Sequence, residues 1–221
     1  MMRFLSYPLT TDPPRYGAEG HFAIMKGKSI DQGDSCETFT VTLSNHHGTH
    51  VDCPAHFFKR GLKVAQIAAN FWRFRSPQVI KVKLKPGELM DIDAIRGRIG
   101  KHTDLLLLKS DWSKVRDEKK YFAANPGIHP SVGHFLRAKH PKVRAIGLDW
   151  ISLSSYLNRA EGREAHRAFL NPKGEGDPIV IIEDMDLSKA THRLKQVFVS
   201  PLRIEDIDSA PCTILGEFAN D

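Results

Sequence analysis

The chain has 221 residues, 41% hydrophobic and 26% charged, with a formal net charge of +6 and a pI near 9.2. That length suits one domain spanning 1–221, and that composition suits a globular chain. No apolar run approaches the roughly 18–20 residues that cross a bilayer, and the scattered basic residues belong to no nucleic-acid module, so neither a membrane nor a nucleic acid is expected as partner.

Met1 to Thr10 carries one Arg, mixed polarity and no apolar core, and does not read as a signal peptide. Cys36, Cys53 and Cys212 are odd in number and widely spaced, which implies no disulfide framework and a reducing, cytoplasmic location. Glu37 to Leu43 alternates strictly, with Phe39, Val41 and Leu43 on one face, and is the clearest strand. It runs into a histidine-rich segment read as a loop. Val64 to Phe71 reads as a short helix and Val79 to Leu84 as a strand. Asp91 to Arg98 reads as a helix capped by Asp91 or its neighbour. Leu105 to Leu108 is a buried strand, Ser131 to His140 a helix with Ser131 as N-cap, and Val143 to Leu148 a strand closing on Asp149. Glu161 to Leu170 is helical, and Ile179 to Ile182 is a buried strand delivering Glu183. Gln196 to Leu202 and Cys212 to Leu215 complete the strands. Strands and helices mix without a strict repeat, which predicts an α/β (mixed α+β) domain with a mixed, largely buried sheet flanked by helices.

The run His46-His47-Gly48-Thr49-His50-Val51-Asp52-Cys53-Pro54-Ala55-His56 holds four of the eleven histidines and an aspartate. Imidazole and carboxylate together suit a divalent transition metal with an open coordination position, whereas a closed structural zinc site favours several thiolates. Gly48 and Pro54 bend the backbone so that side chains can converge, and they argue against a helix. His46, His50 and Asp52 are the first ligand candidates, and His56, beyond Pro54, is expected beside the metal. His47 reads as exposed or as a support behind a ligand. Cys53 reads as a buried thiol.

The string His46-x-Gly48-Thr49-His50-x-Asp52-x-Pro54-x-His56 resembles the signature of the cyclase-like metal-dependent hydrolases, which include kynurenine formamidase (arylformamidase) and isatin hydrolase. Every fixed position matches. Gly147-Leu148-Asp149-x-x-Ser152, then His166 with Phe169-Leu170, then Ile181 to Leu187, and Pro14-Arg15-Tyr16-Gly17 extend the likeness over most of the chain, from Leu5 to Leu215. The resemblance implies a swivelling β/β/α fold. It implies one metal on His46, His50 and Asp52, and a second that Asp52 and Glu183 bridge and His166 completes. His56 would donate and accept protons, and Tyr16 would lie over the substrate. Two Zn²⁺ per chain are implied, with Mn²⁺ served by the same donors, in a homodimer or homotetramer. The activity implied is hydrolysis of a C–N bond in a formamide or lactam by metal-activated water, kynurenine formamidase first and isatin-like lactam hydrolysis next. A metal-dependent cyclase or lyase and a non-catalytic metal binder are the rivals, and an intact His56 favours the enzyme.

Two departures fall on the substrate side. Asn171 to Pro178 is a longer Gly/Pro-rich loop, open to reading as a reshaped pocket mouth, a lid or a subunit contact, and Tyr16 stands where Trp or Phe is usual, without the Pro-Gly-Asp that normally follows. His166 taken alone reads as a surface histidine, and Glu183 ends so apolar a strand that its carboxylate needs a partner. Asp149 and Ser152 read as caps of the next helix, with support of a ligand as the alternative. His129, His134, His140 and His192 read as structural or solvated, and Trp112 and Trp150 as core.

Overall fold

The computed structural model describes residues 1–11, 13–18 and 21–219. Its strands are β1 (Met2–Phe4), β2 (Phe22–Lys26), β3 (Phe39–Leu43), β4 (His50–Asp52), β5 (Arg73–Phe74), β6 (Pro77–Lys81), β7 (Leu89–Met90), β8 (Leu105–Lys109), β9 (Gly127–Ile128), β10 (Ala145–Leu148), β11 (Val180–Glu183), β12 (Leu194–Pro201) and β13 (Ser209–Phe218). The helices are α1 (Lys120–Ala123), α2 (Pro130–Lys139) and α3 (Arg159–Leu170).

One mixed sheet runs in the order β5-β12-β13-β4-β11-β10-β8-β6, with β1 added on β13. β6, β8, β10 and β11 are parallel to one another; the remaining pairings are antiparallel. β5 and β6 stand at opposite ends of this order, yet only Arg75 and Ser76 separate them in the chain. A chain reaches at most about 3.3–3.6 Å per residue, so the two edges come within roughly 10 Å and the sheet curls until it is nearly closed.

The continuous apolar runs follow from burial on both faces. Leu106, Leu108, Ile146 and Ile181 face the core made with Val132 and Leu136 of α2 and Ala165 and Phe169 of α3. Their neighbours Leu105, Leu107, Ala145, Val180 and Ile182 face the core that the curled sheet encloses, with Val51, Val197 and Ile214. At about 1.5–3 kcal/mol per buried aliphatic side chain, these central strands form a rigid platform for whatever they carry at their ends.

The expected α/β architecture is present, with local differences. Residues 64–71 and 91–98 form short 3-10 turns, Val64–Gln66, Ala69–Trp72 and Ile92–Ala94, and not α-helices. Stretches this short do not recover the cost of helix nucleation. Asp91 caps its turn as expected, accepting from the Ile92 N–H at 2.6 Å. α2 starts one residue early because Pro130 takes the first helical position, which makes His129 the N-cap. The well-alternating β3 pairs only with β2, in a separate hairpin, and its Phe39 and Val41 are 58% and 50% exposed. Alternation identified the strand but not what covers its face. The loop after α3 is held by the Arg137 guanidinium, which donates to the carbonyls of Ala168, Asn171 and Gly176 at 2.7–2.9 Å. None of its residues lines the pocket. Among the described residues no helix is long and apolar enough to cross a membrane.

Candidate metal centre

The stretch expected as loop contains a strand: β4 lies mid-sheet between β13 and β11. Side chains alternate along a strand, so His50 and Asp52 share one face while Val51 enters the enclosed core. The register sets Glu183 opposite His50 and Ser209 opposite Asp52. The turn into β4 needs Gly48, whose φ is +62° and whose Cβ position would meet Leu9 at 2.9 Å. Thr49 ties the turn down by donating to the Asp184 carbonyl at 2.5 Å and accepting from the Tyr7 N–H at 3.1 Å. His56 ends the 3-10 turn Pro54–His56. His166 comes from α3, which approaches closely because Gly162 sits against Ser154, where a Cβ would collide.

The donors converge. Asp52 Oδ1 lies 3.1 Å from His46 Nδ1 and 3.6 Å from His50 Nε2, and Oδ2 lies 3.7 Å from His166 Nε2. Glu183 Oε2 lies 3.4 Å from His50 Nε2, and Oε1 lies 3.5 Å from His166 Nε2. Each carboxylate thus offers its two oxygens to different histidines. His50 Nδ1 is 2.8 Å from the Gly48 carbonyl and His166 Nδ1 is 2.8 Å from the Gly162 carbonyl. A carbonyl only accepts, so both Nδ1 atoms carry protons and both Nε2 atoms are turned toward the carboxylates. His50 Nε2 and Asp52 Oδ1 are buried without an aligned hydrogen bond. A divalent cation would satisfy both, and the donor set fits one. Donor atoms of His50, Asp52 and Glu183 lie within 4.8 Å of one another, as do those of His46, Asp52 and His56. Asp52 is common to both groups. His56, expected beside a metal, therefore also stands within ligand range.

Burial opposes charge on His46, but Asp52 and Asp208 outweigh it and hold the imidazolium pKa up to about 10. His166 is likewise raised against burial to about 9, by Asp52 and Glu183. Burial and the neighbouring Asp52 push Glu183 up, yet His166 and His50 bring it down to about 2. In the metal-free chain both imidazoles hold their extra proton toward the carboxylates, His46 through Nδ1 to Asp52 and His166 through Nε2 to Asp52 and Glu183. The histidine contribution to stability is complete below the ordinary pKa of 6.5 and is lost as pH rises through about 9 to 10. The Glu183 contribution is complete above its ordinary 4.5 and is lost as pH falls through about 2. Chelator-treated protein should therefore melt highest between pH 4.5 and 6.5 and progressively lower toward pH 10. Metal affinity should rise over the same alkaline range as protons leave. Equal melting temperatures of the metal-free protein at pH 6 and pH 10 would contradict this account.

Tyr16 lines the pocket, a cavity of about 470 Å³ that also receives His46, His56, Phe57, Arg159 and Arg163. Its hydroxyl donates to the Ser155 carbonyl at 3.5 Å and its ring meets Tyr156 edge-on at 5.7 Å. His47 is buried, not exposed, and turns away to stack on Phe22 at 4.8 Å. Cys53 is buried, and burial raises its thiol pKa. Ser152 touches a candidate ligand, donating to Glu183 Oε1 at 3.2 Å, while the Leu153 N–H donates to the same oxygen at 2.6 Å. Asp149 does cap, but it caps the turn after β8, accepting from Ser110 and Asp111. Trp112 and Trp150 are core.

Two further acids border the candidate ligands, Asp208 with no signal in the sequence and Asp184 with only its place in the Ile181 to Leu187 segment. Asp208, just before β13, accepts from His56 Nδ1 at 2.6 Å, 152 positions away in the chain. Asp184 follows Glu183 at φ +51° and is clamped by Arg116 at 2.6 and 2.9 Å and by the Tyr121 hydroxyl at 2.5 Å. That clamp holds a strained residue beside a candidate ligand.

A nearly closed mixed sheet whose central strands gather buried His, Asp and Glu donors over a pocket defines an α/β protein equipped to bind a metal. The chain belongs to the Cyclase family, whose sequence model, described as "Putative cyclase", matches residues 4–155. It is 25% identical to the kynurenine formamidase of Bacillus cereus (strain ATCC 10987 / NRS 248), over 94% of this chain and 92% of that protein, and equally to the kynurenine formamidase of Bacillus anthracis. Its fold matches isatin hydrolase A from Labrenzia aggregata with a TM-score of 0.81, at 20% identity, covering 100% of this chain and 94% of that one. It also matches a potential metal-dependent hydrolase with cyclase activity, with a TM-score of 0.75 at 17% identity and coverages of 100% and 99%.

Proposed function

We propose that this protein is a metal-dependent hydrolase of a non-peptide C–N bond, with an aryl formamide as first substrate class and N-formylkynurenine as best candidate. The observation that carries the reading is the pair of carboxylates, Asp52 and Glu183, both facing His50 and His166, with His46 also on Asp52, beside the His56–Asp208 pair. His46, His50, Asp52, His166 and Glu183 would hold two cations. Zn²⁺ is the first choice and Mn²⁺ the second, since imidazole and carboxylate serve both. When bound, the metal supplies Lewis acidity toward the carbonyl and makes water a nucleophile at neutral pH.

The protein's own groups do the rest. His56, oriented through Nδ1 by Asp208, keeps Nε2 for taking a proton from water and passing it to the leaving nitrogen. Tyr16 and Phe57 flank the space for an aryl ring. A binding protein would need no such oriented proton carrier, and a lyase or cyclase would leave solvent oxygen out of the product. We also propose a cytoplasmic homodimer or homotetramer, in which a second copy covers the exposed face of the β2–β3 hairpin.

The test is elemental analysis paired with N-formylkynurenine hydrolysis before and after chelation. About two metals per chain with chelator-sensitive turnover would establish the formamidase. Bound metal without turnover would move the search to isatin-like lactams and other small amides. No metal under replete conditions would overturn the reading.

A further inference from the structure

Two cations in the pocket have no role in the chemistry just described. Arg159, Arg163 and His166 lie at i, i+4 and i+7 of α3 and so share one face. At a rise of about 1.5 Å per residue, Arg163 stands roughly 4–5 Å and Arg159 roughly 10 Å along the axis from His166. Both arginines line the cavity that holds the histidine cluster. Neither has a carboxylate partner among the described residues, whereas the next arginine on the helix, Arg167, pairs with Glu164. Arg159 lies over the ring of Tyr156, its Cζ 5.5 Å from the centroid, and Tyr156 packs edge-on to Tyr16. The pocket therefore has an acid-rich floor for metals, aromatic walls, and on its exposed side two guanidinium groups without a carboxylate partner among the described residues, Arg159 lying beside the Tyr16 hydroxyl.

Resting on the hydrolase reading, we infer that the substrate carries a carboxylate remote from the scissile amide, and that Arg159 and Arg163 bind it. The guanidinium fork matches a carboxylate in shape and charge. Neutral lactams and neutral anilides lack the group that these arginines would engage. The pocket thus selects an acidic aryl amide, and the two arginines are specificity-determining residues.

The probe is a matched pair, 4-formamidobenzoate and its neutral isostere 4-formamidobenzamide, offered to the zinc-loaded enzyme. Calorimetry reads Kd and product formation reads kcat/KM. The acid is expected to be favoured by about 10–100-fold in both. The double variant Arg159→Gln/Arg163→Gln is expected to bring the two Kd values together, and Arg163→Lys, which keeps the charge, to retain part of the preference. Equal handling of acid and amide by the unmodified enzyme overturns the inference, as does a preference that survives in the double variant. Arginine-dependent binding of the acid with no turnover of either compound upholds the anion site and sinks the aryl-formamide reading.

Discussion

Asp52→Asn is expected to release at least one metal per chain and to lower turnover by about a thousandfold or more, the cost of losing several kcal/mol of transition-state stabilisation at about 1.4 kcal/mol per decade. Asp52 is the common member of both donor groups, and its two oxygens face different histidines. An amide has one carbonyl oxygen and a nitrogen that cannot ligate through a lone pair, so it cannot serve both sides. Removing one member of a buried charged set costs about 3 kcal/mol, or roughly 6–12 °C in melting temperature for a chain of this size. Glu183→Gln should behave alike, since Glu183 also faces His50 and His166 with separate oxygens. Metal content is read by elemental analysis and activity by formamide hydrolysis. Two metals retained in either variant would refute the bridging role.

The second large effect is kinetic. His56→Ala should keep its metals and lose about 10²–10⁴-fold in kcat, the usual worth of a positioned general acid or base. The geometry makes this a sharp test, because His56 stands within ligand distance of His46 and Asp52. Loss of a metal in His56→Ala would make it a ligand and leave the proton carrier to be found elsewhere. Asp208→Ala should cost less, about 10–100-fold with metals retained, because it acts through the orientation of His56. Asp208→Asn, which still accepts the hydrogen bond, should recover part of that loss. An Asp208→Ala enzyme with unchanged kcat would remove Asp208 from the mechanism.

Legibility in the sequence followed distance along the chain. His46, His50, Asp52 and His56 were visible because their spacing is local. Leu105 to Leu108 and Ile179 to Ile182 were visible because burial on both faces demands unbroken apolar runs. β3 was visible as a strand, but alternation carries no information on its partner, and it left the main sheet. His50 to Asp52 reads as loop because three residues beside a glycine show no period; the sheet makes them a central strand. Glu183 was marked by the apolar strand it ends, whose carboxylate needs a partner, while His166 came through resemblance, since a histidine on a helix has no mark of its own. Asp208, Arg159 and Arg163 had none either.

The sequence by itself determined the donor types, the bend that lets them converge, and the apolar strands that carry them, because each depends on residues a few positions apart. The tertiary structure decided which oxygen meets which nitrogen, that Asp208 holds His56, and that two arginines flank the cavity. Those contacts join the β4 segment to α3, β11 and the approach to β13, all more than a hundred positions further along the chain. Only the register and curl of the sheet, set by collective burial of its two cores, bring them together.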